Sequence, residues 1–487
     1  MSLTRKLTHG VFYLLSSSLA SIGLNVIIVA FIARKLDVEN FGLYSAILSF
    51  AGLFQFLSDF GLNKTLLKFG STNRTKTQIS FGNALFLKGV LIVPLFGLVT
   101  LVGILSGYRN VELLILELFT ASLILDSYGT VFSSIRRILG HFELISFFRI
   151  VRTLIGLAVV IFALMLNNSV LYLAISTTAL SLVVFILSLF NTILLLRPRL
   201  DLSLMSEFFK DSLIFGLNDF FLNIYGKIST VLLSFFQDLH SVGIYSAAIK
   251  FTNIANLLPK QVRFALLPTM YRLLEDKNNS EETEISYSSE KSKKVFLILL
   301  KYMAIFSTIL VILIFYFSGS IIHLVFGTKY DLSIPLVQLF SVFIYLRFIG
   351  TPFTLYFLGL NKHKNMVFMQ GVATLLLVAL NIILIPKYSF YGACIATIIS
   401  ELFLELMLII YGIRFKIWDL INVFILLAKP LISGILSVWI IVVFLANLNL
   451  FFKIIILLFS YVLFLIVMRH FGKEDKRLFA KIFVTAK

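Results

Sequence analysis

The chain has 487 residues, of which 59% are hydrophobic and 14% charged, and its formal net charge is +18. An ordinary soluble domain carries roughly 25% charged residues; a chain this apolar cannot cover its surface with polar groups, so lipid has to solvate much of it. A single cysteine, Cys394, excludes a disulfide framework and a thiolate metal cluster, none of the six histidines pairs at ligand spacing, and no G-x-x-x-x-G-K-[ST] loop is present to drive an ATPase.

Crossing a hydrocarbon core of roughly 30 Å takes about 20 apolar residues in a helix. Runs of that length fall at 11–33, 41–61, 81–106, 112–133, 144–166, 169–196 and 211–235, then at 243–268, 295–317, 333–358, 364–385, 389–412, 420–445 and 452–469. The expected fold class is therefore all-α, a polytopic membrane protein of about fourteen transmembrane helices. The first run follows Arg5 and Lys6 as a signal peptide would. It is longer than a typical apolar signal core and belongs to a repeat described below, so it reads as a helix. The runs at 112–133 and 211–235 are the least apolar, carrying Glu117 and Asp126, and Asp219 and Lys227. Basic residues test the count, because Lys and Arg concentrate in cytoplasmic loops. With these spans, 26 fall on the side of the N-terminus and the C-terminal tail, against six opposite: Arg34, Lys35, Arg109, Lys329, Lys387 and Lys453. Both termini are expected in the cytoplasm, and the net charge reads as topogenic, with no nucleic acid as partner.

Residues 41–46 read F-G-L-Y-S-A and residues 242–247 read V-G-I-Y-S-A. At the same offset of 201, Asp37 falls on Asp238 and Phe50 on Phe251. Six spans separate the copies, so both halves enter the membrane in the same direction, as in a parallel repeat about the membrane normal. The expected organisation is a six-helix lobe at 1–200, a second at 201–416, and two additional helices with a cytoplasmic tail at 417–487. The loops are short, and the longest, about 271–294, is a polar charge-mixed stretch that reads as a connector. This leaves no room for a folded catalytic domain, so the chain reads as a transporter and not an enzyme.

Ten basic residues remain inside spans: Lys88, Arg149, Arg152, Lys227, Lys250, Lys260, Arg263, Lys301, Arg347 and Lys429. At the bilayer centre each costs at least about 2.5–3.5 kcal/mol. Arg149, Arg152 and Arg263 lie near helix ends, where a long side chain can reach the interface; Lys227, Lys250 and Arg347 lie several turns from either end. Ser246, Lys250, Asn253, Asn256, Lys260 and Arg263 recur at spacings of three and four, which places them on one helical face. Asp219, Asn223, Lys227, Thr230 and Ser234 form a second such stripe, and Ser18, Ser21 and Asn25 a third, which interhelical hydrogen bonding explains adequately. Embedded acids are fewer: Asp59, Glu117, Asp126, Asp219, Glu401 and Glu405. Asp219 is expected to neutralise Lys227. The surplus of cations points to an anionic ligand in a shared water-filled cavity. Its candidate binding residues are Lys250, Lys227, Arg347, Lys88, Lys260, Asn25, Asn253 and Asp59.

The stretch 31–66, F-I-A-R-K-L-D-V-E-N-F-G-L-Y-S-A-I-L-S-F-A-G-L-F-Q-F-L-S-D-F-G-L-N-K-T-L, resembles the opening of the polysaccharide transport family. These are lipid-linked oligosaccharide flippases, the O-antigen type among them, of the multidrug/oligosaccharidyl-lipid/polysaccharide exporter superfamily. Residues 385–401, I-P-K-Y-S-F-Y-G-A-C-I-A-T-I-I-S-E, resemble that family's pattern around its eleventh and twelfth helices. The resemblance implies a polyprenyl-(pyro)phosphate-linked oligosaccharide as substrate, turned from the cytoplasmic to the outer face of the plasma (inner) membrane by alternating access. It also implies two six-helix lobes around a cationic cavity, lined by a base that follows a Tyr-x-x-Ala pattern on the eighth helix. Tyr245–Lys250, Y-S-A-A-I-K, matches that place, so the role carries to Lys250. Asp59 sits in the family's S-D-F-G-L, as a substrate contact or a helix cap. In the lipid II flippase branch two extra C-terminal helices form a lipid groove, an analogy for the last two spans.

No cofactor or metal is expected; coupling to an ion gradient would use Asp59, Asp126 or Glu401. Expected partners are the lipid-linked glycan and membrane lipid, with a glycan polymerase or glycosyltransferases as protein partners. Pro259, Pro268, Pro335 and Pro352 are candidate bending points. The alternatives are a drug/cation antiporter of the same superfamily, which would want acids in its cavity, and a membrane O-antigen polymerase or ligase, which would carry a large outer loop. Reporter fusions after residues 70, 200, 280 and 475 should all report cytoplasm, and fusions near 38, 240 and 388 the outside; two reversals among the seven would overturn the topology.

Overall fold

The computed structural model describes residues 3–70, 73–275, 290–360, 362–414, 418–444, 450–468 and 470. Among these the structure is helical, with no strand. The expected polar connector falls largely on 276–289 and the tail on 471–487, outside the described residues. The helices of the first half are α1 (Leu3–Lys35), α2 (Val38–Leu53), α3 (Gln55–Asp59), α4 (Leu62–Gly70), α5 (Arg74–Leu105), α6 (Asn110–Ile138), α7 (Phe142–Leu166) and α8 (Val170–Leu195). The second half holds α9 (Met205–Phe236), α10 (Leu239–Ala255), α11 (Leu257–Glu275), α12 (Glu290–Val325), α13 (Ile334–Gly359) and α14 (His363–Arg414). Last come α15 (Leu420–Phe444) and α16 (Leu450–Val467). Long apolar helices suit lipid because they satisfy every backbone polar group internally. Their outward residues, such as Val93, Phe162 and Leu194, are accordingly apolar and exposed. Side-chain caps mark the starts: Asp37 accepts from Asn40 N at 2.7 Å, Asn73 from Lys76 N at 2.8 Å and Asp238 from Ser241 N at 2.9 Å. The hydroxyl and backbone N–H of Ser241 hold the Asp238 carboxyl below its ordinary pKa.

All fourteen expected segments lie on helix. Eight of the described helical segments are long and apolar enough to cross a membrane, nine if a bent pair counts as one span. At about 1.5 Å per residue, the 52 residues of α14 would reach far beyond one hydrocarbon thickness. The chain turns back within it at Ser389 (φ 49°, ψ −132°), and a Cβ at Gly392 would lie 2.3 Å from the Leu384 carbonyl oxygen. That fold-back separates the runs at 364–385 and 389–412. The runs at 112–133, 211–235, 243–268 and 452–469 lie on helices that are charged, broken or short, so a count of fourteen crossings rests on the sequence.

Two spans are bent or broken, the second beside Pro259, one of the candidate bending points. The run at 41–61 is α2 followed by α3 and α4, with a bend of 44° between α2 and the α3–α4 segment. Phe60 (φ 41°) and Gly61 (φ 80°) then adopt left-handed conformations, a change of direction that ordinary side chains resist. The run at 243–268 breaks between α10 and α11, one turn before Pro259, whose ring cannot sit under a continuous hydrogen-bond ladder. In the two copies of the repeat, α2 is 16 residues long and α10 is 17. The first copy bends without a proline, so proline fixes the break in only one of them.

The helices gather into two compact units. The first comprises Met1–Ala247, Ile322–Ser333 and Thr374–Ala396. In it α1 lies on α7, α6 on α5 and α8, and α2 and α4 on α9. Leu62, Leu66, Phe81, Phe132 and Ile135 form a buried cluster there. Arg136 is also fully buried; its guanidinium donates to the Ser188 carbonyl (3.0 Å), Ser188 Oγ (2.8 Å) and Thr192 Oγ1 (3.0 Å), and it stacks on Phe148. Within this unit the repeat meets itself. A Cβ at Gly42 would lie 1.9 Å from the Leu239 carbonyl oxygen, and one at Gly243 would lie 2.2 Å from that of Val38. Val38 and Leu239, like Gly42 and Gly243, are 201 residues apart. A contact in which i meets j′ and j meets i′ is what a two-fold relation produces. Both positions must be glycine for the backbones to approach this closely.

The second unit comprises Ala248–Ile321, Ile334–Ala373 and Thr397–Lys487. Here α11 packs on α13 and α15 on α16. Ile441 of α15 and Leu457 of α16 close on Ile312 of α12, and the Tyr461 hydroxyl donates to the Ile305 carbonyl at 3.1 Å. Trp418 stacks on Phe296 and meets Phe353, Tyr356 and Phe357 edge-on. Gly412 makes the space, since a Cβ there would lie 1.7 Å from the indole ring.

Candidate functional site

In the first unit the embedded charges are mostly neutralised. Lys88 on α5 is buried and pairs with Asp59 Oδ1 at 2.7 Å; it also donates to the Ser127 carbonyl at 3.0 Å and to Ser127 Oγ. Asp59, at the end of α3, also accepts from Asn63 Nδ2 at 2.6 Å. Asp59, expected as a substrate contact or a helix cap, is here the counter-ion of Lys88. Asp219 pairs with Lys64 at 2.6 Å, a partner the sequence did not suggest. Arg152 pairs with Asp126, and Arg149 donates to the Leu14 carbonyl at 3.2 Å and to Ser18 Oγ. Asn25 is exposed and donates to the Ser21 carbonyl of its own helix at 2.8 Å, a local bond that Asn side chains often make. The Lys227 ammonium lies across Gly52, 2.0 Å from where a Cβ would stand.

The second unit holds a different arrangement. Arg347 on α13 pairs through Nε with Glu401 Oε1 of α14 at 2.9 Å, and Glu401 is fully buried. Glu405, one turn further on, interacts electrostatically with both. Its carboxyl fills the space a side chain at Gly350 would take, with its oxygens 1.8 and 2.4 Å from the position of a Cβ. Lys260 and Arg263, one turn apart on α11, both lie within electrostatic range of Arg347. Lys250 is half-buried on α10, and Asn253 is exposed. Among the described residues, Lys250, Lys260 and Arg263 have no carboxylate within ion-pair distance and no hydrogen bond.

The structure thus divides the eight sequence candidates. It places Lys250, Asn253, Lys260 and Arg347 in the second unit, and Lys88, Lys227, Asn25 and Asp59 in the first. Arg263, which the sequence placed on the Lys250–Lys260 stripe and near a helix end, lies within electrostatic range of Arg347, as Lys260 does. Gly52 and Gly350 went unremarked, and their only signal is a glycine inside an apolar helix, which marks close approach without naming what approaches.

Helices with lipid-compatible surfaces, an internal repeat and charges held inside the bundle define a multi-pass membrane protein of the transporter class. The chain belongs to the polysaccharide biosynthesis protein family, whose sequence model matches residues 7–274, more than half its length. The resemblance carried by residues 31–66 falls inside that match. A stretch of 177 residues is 29% identical to an uncharacterized membrane protein of Methanocaldococcus jannaschii; it covers 36% of this chain and 33% of that protein, so the match spans about a third of the relative's length. The fold matches that of the lipid II flippase MurJ in an inward closed conformation, with a TM-score of 0.76 at 14% identity over 94% of this chain and 99% of that one. It also matches an inward-facing multidrug resistance MATE family transporter of the MOP superfamily, with a TM-score of 0.65 at 16% identity over 82% of this chain and 94% of that one. These neighbours are a flippase and a transporter, not enzymes, and at such identities the likeness is one of fold.

The pairing of Lys88 with Asp59 makes a prediction. Removing one member of a buried pair strands the other and costs about 3–5 kcal/mol, whereas replacing both with apolar residues is often neutral. Lys88→Met and Asp59→Leu should each lower the melting temperature in detergent, and the double variant should recover most of the loss. If Lys88→Met is as stable as the parent, the pair is not structural.

Proposed function

We propose that the protein is a flippase that moves a polyprenyl-(pyro)phosphate-linked oligosaccharide from the cytoplasmic to the outer face of the plasma membrane by alternating access. The observation that carries this reading is the trio Lys250, Lys260 and Arg263, which lack any counter-ion among the described residues and stand in the same unit as Arg347. Lys250 and Arg263 are half-buried and Lys260 is exposed; a part-buried cation is expensive in a membrane protein, and Lys260, Arg263 and Arg347 repel one another, so an anionic ligand relieves both costs. A phosphate offers oxygens to several donors at once, and a guanidinium can engage it with two parallel bonds. In this reading Lys250 and Lys260 supply point charge, Arg263 and Arg347 supply directed donors, and the phosphate shares Arg347 with Glu401. The sugars remain in water and the polyprenyl chain remains in lipid. Membership of a polysaccharide biosynthesis family supports a glycan cargo. The flippase with the same fold is named for lipid II.

A drug/cation antiporter on the same fold would want carboxylates ready for a cation. Here Asp59, Asp126, Asp219 and Glu401 are each in an ion pair, Glu117 accepts from Thr100 at 3.3 Å, and Glu405 is buried beside Glu401 and Arg347. Among the described residues, three embedded bases lack such an acid, and this favours an anionic cargo. Flipping of a defined lipid-linked oligosaccharide in proteoliposomes tests the proposal. Lys250→Ala and Arg347→Ala should each abolish flipping at matched protein level. Lys250→Arg should keep part of it, since charge remains but donor geometry changes, and Lys250→Glu should be the worst. Parental rates for both alanine variants would overturn the proposal.

A further inference from the structure

Two helix ends in the first unit exchange cations. The helix α12 ends at Val325, and its last carbonyls have no partner within the helix. Arg34, at the end of α1, serves three of them: Nε donates to the Val325 oxygen at 3.1 Å, and Nη2 to those of His323 at 3.2 Å and Leu324 at 2.5 Å. The end of α1 is served in return by the segment after α12. Lys329 Nζ donates to the carbonyls of Arg34 (3.1 Å) and Leu36 (2.6 Å), and the Tyr330 hydroxyl to that of Ala33 (3.1 Å). Phe41 of α2 meets Phe326 and Tyr330 edge-on, with ring centroids 6.1 and 5.8 Å apart. Ser333 Oγ donates to the Ile244 carbonyl of α10 at 2.8 Å. Beneath this exchange lies the reciprocal crossing of α2 and α10 at Gly42 and Gly243. One turn further along each helix are the buried hydroxyls of Ser45 and Ser246, also 201 residues apart and neither with a protein hydrogen-bond partner.

We propose that Arg34, Lys329 and Tyr330 form a latch that holds this end of the bundle shut over the Gly42–Gly243 crossing and breaks once in each transport cycle. The proposal rests on the alternating-access reading above, which requires the end predicted to face outside to open. The chemistry suits a reversible closure. Both cations bind carbonyl dipoles and not carboxylates, so opening strands no charge; Arg34, Lys329 and the freed carbonyls can all take water. A cation at a helix C-terminus is attracted by the dipole as well as by the individual oxygens. Because each helix end is served by the segment that belongs with the other, the bonds form or break together. The glycine crossing gives them a common stop, since no side chain keeps the two backbones apart.

The test measures access, not transport, so its failure is distinct from failure of the flippase reading. The full chain carries Cys394→Ser, which removes the buried native thiol, together with Ser45→Cys. Intact cells or oriented proteoliposomes are treated from outside with a membrane-impermeant maleimide. The parent should label slowly. Arg34→Ala combined with Lys329→Ala should label about tenfold faster, a shift of the open population by the latch's contribution. Tyr330→Phe, which removes only a hydroxyl, should give a smaller increase, and Arg34→Lys should stay near the parent. Complete labelling after denaturation establishes that the thiol is competent. Fast labelling of the parent, or equal slow labelling of parent and double variant, would overturn the latch.

Discussion

A cation inside a hydrocarbon layer can pair with a carboxylate, be wrapped in neutral dipoles, or be matched by an anion from outside, and the first unit of this protein is organised around the first two. Lys88 and Arg152 take carboxylates, Asp59 and Asp126. Arg136 takes dipoles, with hydroxyls and a carbonyl around its guanidinium and the face of Phe148 beneath it. Among the described residues, Lys250, Lys260 and Arg263 have neither. Each solution shapes the fold near it. The Lys88–Asp59 pair ties α5 to the segment where the second span breaks. Arg136 ties α6 to α8. That trio lies on α10 and α11, on either side of a break, where a small change in helix direction alters the spacing of the charges.

The repeat matters for the same reason. Matching residues meet across the α2–α10 crossing, so the two-fold relation is realised at a single point where both partners are glycine. Beyond that point the copies diverge. After the break the first copy carries Asp59, which neutralises Lys88, and the second carries Lys260 and Arg263, which have no ion pair among the described residues.

Much of the fold was legible because lipid solvation imposes a length and a composition that a sequence cannot hide. The helical segments, the fold-back near residue 389 and the repeat all appear as apolar runs, polar punctuation or matched words. The turn between α3 and α4 was not legible, because Phe60 there takes a left-handed conformation that ordinary side chains resist. Charge placement was legible in part. The surplus of bases could be counted, but a stripe on one helix does not say which neighbour faces it. Lys227 was expected to face Asp219, whose observed partner is Lys64. Lys88 was counted as available and proved to be paired. Arg263, on the stripe but near a helix end, lies within electrostatic range of Arg347, as Lys260 does. Two glycines, Gly52 and Gly350, admit Lys227 and Glu405 into the packing, and no rule of spacing connects those pairs in advance.

The central claim is that Lys250, Lys260 and Arg263 of the second unit exist to hold a phosphate. The most direct measurement compares the affinity of the purified protein in lipid nanodiscs for a polyprenyl diphosphate and for the neutral polyprenol of the same chain length, across a series of salt concentrations. The account predicts preferential binding of the diphosphate lipid, weakening as salt rises, with the preference lost in a Lys250→Ala, Lys260→Ala variant that still binds the polyprenol. Equal affinity for the two lipids, or a preference unchanged in that variant, would contradict it.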